Sequence, residues 1–245
     1  MKPTVLIVVT TPESSHKSTA FYLSQYMHCD FEMDESENKP YHDVEFVTGN
    51  KKHLCTVYNE KIKTAIHARY TYIAFVHGDV WLNCTMDNLK QNIIKYNTMY
   101  DVFGLAGAKK LTIPSTLSQT TMPLWHLMGR DNLHGCVAHG QFDKFGYTSY
   151  GPVPEQVVMI DGVFISINLA KLGNVRFDEN IPSKFHFYDL CFSLDCSLAK
   201  KKVGVGDLPI IHESPGLKNI TPEWIAGANY FINKYSKYAG KQLTV

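Results

Sequence analysis

Over the first hundred or so residues, short β-branched runs alternate with amphipathic helical stretches, and that alternation constrains the fold more than any other feature. Val5–Thr10 is Val-Leu-Ile-Val-Val-Thr, a continuous apolar run. Such a run predicts a strand covered on both faces. A helical stretch follows at 18–27, then a second strand at 44–48 closed by Gly49-Asn50. The helix predicted at 56–68 carries Val57, Ile62, Ala65 and Ile66 near one face. A third strand spans 70–80. The helix at 87–100 gathers Leu89, Ile93, Ile94 and Tyr96 on one side, and a short strand at 102–106 completes the series. This β, α, β, α, β, α, β succession predicts a parallel sheet with helices on its faces.

The pattern then changes. The stretch 30–43 is polar and acidic and predicts a surface loop, whereas 113–154 mixes Gly, Pro, Thr, His and aromatics with little periodicity. A long irregular segment in a compact domain is usually functional. It holds Trp125, His126, His134, His139, Phe142, Phe145, Tyr147 and Tyr150. Aromatic faces of this kind stack on sugars or bases, or build a small core under a loop. Strand character returns at 157–168, broken by Asp161-Gly162. A helix is predicted at 188–202 and a last strand at 203–212. Thr221 followed by Pro222 is a helix start, and that helix should run to about residue 238.

Composition narrows the class. With 44% hydrophobic and 19% charged residues, a chain of 245 residues fills one large domain. A net charge of +1 does not demand a nucleic-acid partner. Six scattered cysteines form no C-x-x-C pair, which points to reduced thiols in the cytoplasm rather than to zinc or disulfides. The run at 5–9 is too short for a signal-peptide core. No run reaches the roughly 18 apolar residues of a membrane span. Neither G-x-G-x-x-G nor a P-loop is present.

Several residues stand where chemistry is usually done. The apolar run 72–76 ends in His77-Gly78-Asp79, an acid delivered at a strand end beside a glycine that admits close backbone approach. Asp79 is either a ligand-facing acid or a turn acid, and His77 either a ligand, a hydrogen-bond donor or a structural histidine. Asp161 breaks an apolar strand, and a buried acid there needs a partner. Asp189 follows Phe185-His186-Phe187-Tyr188 and opens a helix, as a general base or as a helix cap. His212 ends the last predicted strand.

In order and spacing, Val5–Thr10 with its following loop, Tyr58-Asn59-Glu60, Phe75-Val76-His77-Gly78-Asp79-Val80-Trp81, Ile160-Asp161-Gly162-Val163-Phe164, Phe187-Tyr188-Asp189-Leu190 and Pro209-Ile210-Ile211-His212 resemble the GT-A glycosyltransferases, in particular family 2-like members. The resemblance implies an α/β GT-A fold: a central, mostly parallel sheet flanked by helices, with an irregular acceptor-side segment. It implies a single domain over 1–245, with a nucleotide-sugar-binding half at 1–110 and an acceptor-binding, catalytic half at 111–245. The implied reaction moves a sugar from a nucleotide-diphosphate sugar, UDP-linked by expectation, to an acceptor hydroxyl with inversion, Asp189 serving as general base. A divalent metal, Mn²⁺ or Mg²⁺, would be held by Asp79 and His212. Donor contacts would come from Thr10, Thr11, Glu13, Asn59, His77, Gly78 and Asp79, and acceptor contacts from Trp125, Asp161 and Gly162. The acceptor could be a saccharide, a lipid-linked sugar, a protein or a modified nucleic-acid base.

The chain departs from the family pattern at three positions. His77 stands for the first aspartate of D-x-D, Tyr188 for the glutamate before the base, and Cys191 for a further acid. Two other readings remain open at this level: a nucleotidyltransferase, which would want a Gly-rich basic loop after the first strand, and a non-catalytic nucleotide-sugar-binding module.

Overall fold

The computed structural model describes residues 3–27, 43–114, 128–214 and 220–245. Its strands are β1 (Val5–Thr10), β2 (Val44–Val47), β3 (Tyr72–His77), β4 (Val80–Leu82), β5 (Val102–Gly104), β6 (Ala106–Ala108), β7 (Lys110–Thr112), β8 (Leu133–Gln141), β9 (Lys144–Gly151), β10 (Glu155–Gln156), β11 (Met159–Ile160), β12 (Phe164–Asn168), β13 (Val203–Val205), β14 (Ile210–His212) and β15 (Gln242–Thr244). The helices are α1 (Ala20–Met27), α2 (Leu54–His67), α3 (Met86–Met99), α4 (Leu169–Leu172), α5 (Tyr188–Leu198) and α6 (Pro222–Lys234).

The main sheet has the order β10-β13-β5-β12-β3-β1-β2. β1 lies parallel between β2 and β3 and is buried at every position, as its unbroken apolar sequence requires. β12 enters antiparallel between β3 and β5, β13 pairs parallel with β5, and β10 closes the edge antiparallel to β13, so the sheet is mixed rather than mostly parallel as expected, with β10 and β12 running against the other strands. Helices cover both faces. Ser166 of β12, paired with Ala74, bonds Asn97 of α3 at 2.6 Å. The next residue of β3, Phe75, stacks on Tyr58 of α2 with ring centroids 4.0 Å apart. Neighbouring strand residues point to opposite faces, so α3 and α2 lie on opposite sides. A stacked aromatic pair of this kind contributes roughly 0.5–1.5 kcal/mol beyond its burial.

A second sheet has the order β11-β6-β8-β14-β4, with β9 on β8. It corrects the sequence reading at four places. The segments 70–80, 102–106 and 203–212 are not single strands, and 157–168, expected as a strand broken at Asp161-Gly162, changes sheet at that break. Each divides into two short strands, one in each sheet: β3 and β4, β5 and β6, β11 and β12, β13 and β14. An apolar run signals burial but not which sheet does the burying, so the breaks show only at turn residues such as Gly78-Asp79 and Asp161-Gly162.

The irregular segment expected at 113–154 is corrected as well. Residues 133–151 form the β8–β9 hairpin. Period-two alternation is masked because β9 is exposed or half-exposed along its whole length and because the register shifts at Gly135/Cys136. Trp125 and His126, and most of the loop expected at 30–43, lie outside the described residues.

The helix at 56–68 begins earlier, at Leu54, because His53 caps it by accepting from Cys55 N at 3.1 Å. α5 stops at Leu198 rather than 202, and α6 stops at Lys234 with a short 3₁₀ turn at Ser236–Tyr238. Thr221 caps α6 as expected, accepting from Trp224 N at 3.1 Å. Among the described residues the cysteines are free thiols, and no helix is long and apolar enough to cross a membrane.

Candidate active site

The passage between the two sheets builds the site. Gly78-Asp79 links β3 to β4, and Asp161-Gly162 links β11 to β12. His212 ends β14 opposite Val80 of β4, and Glu213 N donates to Asp79 O at 2.8 Å, closing the turn. Gly78 is required by close approach: a Cβ there would meet Thr11 Cβ at 2.7 Å and Thr19 Cγ2 at 3.3 Å.

His77, Asp79 and His212 each offer a ligand atom within 4.8 Å of the others. Asp79 Oδ2 is 3.5 Å from His212 Nε2, and the His77 and His212 rings are 6.0 Å apart. Partial burial opposes ionisation of Asp79, but the His212 hydrogen bond and the nearby His77 outweigh it and hold the carboxyl below its usual range. Burial pushes the His77 imidazole down, with the His212 ring adding to the effect against the pull of Asp79 and Asp161. A neutral His77 and an ionised Asp79 are in the protonation states that a divalent cation requires, so this donor set fits one.

A second cluster adjoins the first. Asp189 lies in the first turn of α5, so it is not the cap; Phe187 occupies that position in the left-handed region at φ 67°. Bulky residues are rarely held there, and the strain costs about 1–2 kcal/mol. Packing sustains it: the Phe187 ring lies 5.2 Å from Trp224 of α6, and Gly227 leaves room, since a Cβ there would sit 2.7 Å from Phe187 Cδ2. The kink points the start of α5 at the Asp161-Gly162 turn. A Cβ on Gly162 would lie 2.7 Å from Tyr188 Cζ and 2.9 Å from Asp189 Cβ. The Asp189 carboxyl is pushed up to about 7, by burial first and by the Asp161 charge second, with the N–H groups of Leu190, Asp189 and Gly162 acting the other way. Asp161 itself accepts from Val163 N at 3.0 Å.

Tyr188 joins the clusters. Its hydroxyl is 2.8 Å from His77 Nε2 and donates to Gly162 O at 2.9 Å.

A cavity of about 670 Å³ opens beside the imidazole cluster, lined among others by Thr10, Thr11, Glu13, His77, Gly78 and Asp79. Six of the sequence-derived donor-side residues therefore share one space. Asn59 does not. Its amide is committed to Phe177, donating to the carbonyl at 2.8 Å and accepting from the N–H at 2.9 Å, and it also donates to Glu179 at 2.8 Å. It lines a separate groove and fastens the 177–179 loop. Trp125 lies outside the described residues.

Three further residues belong to the site. In the sequence Tyr188 shows only as a departure from the family pattern. Glu213 lines the cavity and accepts from Trp81 Nε1 at 2.6 Å and Gln141 Nε2 at 2.9 Å; its signal was its place directly after His212. His139 pairs with His212 across β8 and β14, with rings 6.0 Å apart, a neighbourhood that only long-range strand pairing creates. Burial lowers the His139 imidazole as well.

Comparison with known proteins bears on this arrangement. No curated protein matches the chain. Among solved structures, A197 from STIV is 13% identical over 89% of this chain and 98% of its own, with a TM-score of 0.45. S. aureus TarS is 14% identical over 96% of this chain and 40% of its own, with a TM-score of 0.49. TarS 1–349 in complex with UDP is 13% identical over 94% of this chain and 63% of its own, with a TM-score of 0.46. The chain thus spans less than two thirds of either TarS chain. The model of the glycosyltransferase like family matches residues 22–243. That match runs from α1 to the last strand and takes in both clusters, so the chain belongs to the glycosyltransferase like family, family 2-like, with the GT-A fold.

Proposed function

We propose that this protein transfers a sugar from a nucleotide-diphosphate sugar, UDP-linked, to an acceptor hydroxyl with inversion at the anomeric carbon. The observation that carries the reading is the convergence, through Tyr188, of an imidazole–carboxylate cluster with a carboxyl whose affinity for protons is raised. The donor side is drawn mainly from 1–110 and the acceptor side mainly from 111–245, with His212 and Glu213 returning to the donor side.

In this reading the nucleoside occupies the cavity over Thr10, Thr11 and Glu13, whose volume of about 670 Å³ suits a ligand of that size. The diphosphate lies by Gly78 and Asp79, which line the same cavity. His77, Asp79 and His212 would hold a divalent ion, and a mixed imidazole–carboxylate set favours Mn²⁺ over Mg²⁺. When bound, the ion offsets charge that builds on the leaving diphosphate.

Asp189 takes the proton of the acceptor hydroxyl. The acceptor oxygen bonds to the anomeric carbon while the bond to the diphosphate oxygen breaks, and the electron pair leaves with the diphosphate. Asp161 and Gly162 shape the acceptor side, and the Asp161 charge keeps Asp189 basic. The loop 11–17 contains no glycine and a single late lysine, which argues against nucleotidyl transfer.

Incubation with Mn²⁺ and a panel of nucleotide sugars, UDP-linked ones first, is the test. Release of nucleoside diphosphate with one donor is expected. Tight binding across the panel with no release from any donor would instead favour a non-catalytic binding module.

A further inference from the structure

We propose that Tyr188 is a positioning residue that fixes the tautomer of His77, leaving Nδ1 as the ring nitrogen available to a cation. This rests on the metal reading given above.

The argument is one of proton counting. Gly162 O has no hydrogen and can only accept, so the single hydroxyl proton of Tyr188 is spent on it, at 2.9 Å. Towards His77, at 2.8 Å, the same oxygen must therefore act as acceptor. Nε2 of His77 then carries a proton, and in the neutral ring the lone pair lies on Nδ1.

The tyrosine has little freedom to do otherwise. It is buried to 2% exposure, its ring edge meets Tyr58 at 5.7 Å between centroids, and its hydroxyl sits where a side chain on Gly162 would otherwise stand. Tyr188 and His77 are also two of the positions at which the chain departs from the pattern of its family. In the structure they touch each other, so one departure supports the other. A ligating histidine generally has its second nitrogen held in this way by an outer group, which sets ring orientation and tautomer.

Two measurements test the inference. In the metal-free wild-type protein, ¹⁵N–¹H correlation through the imidazole ring, with the His77 signals assigned by their loss in His77→Gln, should show a protonated Nε2 and a bare Nδ1. The opposite tautomer would overturn the proposal without any variant having to fold. Calorimetric titration with Mn²⁺ should then show Tyr188→Phe binding about tenfold to a hundredfold more weakly than wild type. If wild type binds Mn²⁺ and Tyr188→Phe binds it equally well, this inference falls and the metal reading stands. If wild type binds no Mn²⁺, the metal reading falls and takes the inference with it.

Discussion

Asp79 Oδ2 lies 3.5 Å from His212 Nε2, although Asp79 sits in the turn between β3 and β4 and His212 ends β14, far along the chain. The contact is set by backbone pairing: β4 and β14 run antiparallel, with His212 opposite Val80 and Glu213 N bonded to Asp79 O. Asp79→Asn and His212→Ala should each weaken Mn²⁺-dependent donor binding by at least about tenfold. Titration of donor with and without Mn²⁺ checks this, and unchanged binding in both variants would remove the pair from the metal site.

The acidic limb of the pH profile should belong to Asp189. Its carboxyl is pushed up to about 7, and a general base works only when ionised, so kcat/KM should climb as pH rises through that value and then level off. Asp161→Asn removes the neighbouring charge and should move the limb to lower pH. A limb that did not move would exclude Asp161 as its cause.

Stability should respond to the same group with the opposite sign. The folded value of about 7 lies above the unfolded one of about 3.9, so the folded state holds this proton more tightly. The resulting stabilisation is full below the unfolded value and is lost as pH rises to the folded one. Asp189→Asn buries no charge and should melt higher than wild type near about pH 8, with the difference shrinking near about pH 4. Thermal melts at the two pH values decide it; a lower melting temperature for the variant at the higher pH would contradict the burial argument.

Gly162→Ala should be costly out of proportion to one methyl. The added Cβ would crowd Tyr188 Cζ at 2.7 Å and Asp189 Cβ at 2.9 Å, displacing both residues. We expect a loss of about 1–3 kcal/mol in denaturant unfolding. Because Asp189 and Tyr188 are both displaced, kcat should fall and Mn²⁺-dependent donor binding should weaken as well.

Much of this architecture was legible in the sequence. β1 was plain from its unbroken apolar run, and α6 from Thr221-Pro222. Asp79, Asp161, Asp189 and His212 stood out as polar groups interrupting or ending apolar segments, and the structure gathers them. The division of four apolar segments between two sheets was not legible, because local pattern records burial and not the identity of the partner strand. His139 was missed for the same reason: its neighbour His212 is brought to it by β8–β14 pairing alone. The start of α5 at Tyr188 was legible, but its cap was not, because Phe187 adopts a left-handed conformation that aromatic residues seldom take, held there by Trp224 and Gly227.

The most direct measurement compares wild type with Asp189→Asn for turnover and donor affinity, using a donor that the wild type consumes. The account predicts turnover lower by about 10²–10⁴-fold, as loss of a general base entails. Donor affinity should stay within about twofold, since the carboxyl acts on the acceptor. Turnover retained at the wild-type level would contradict the assignment of Asp189 as the base.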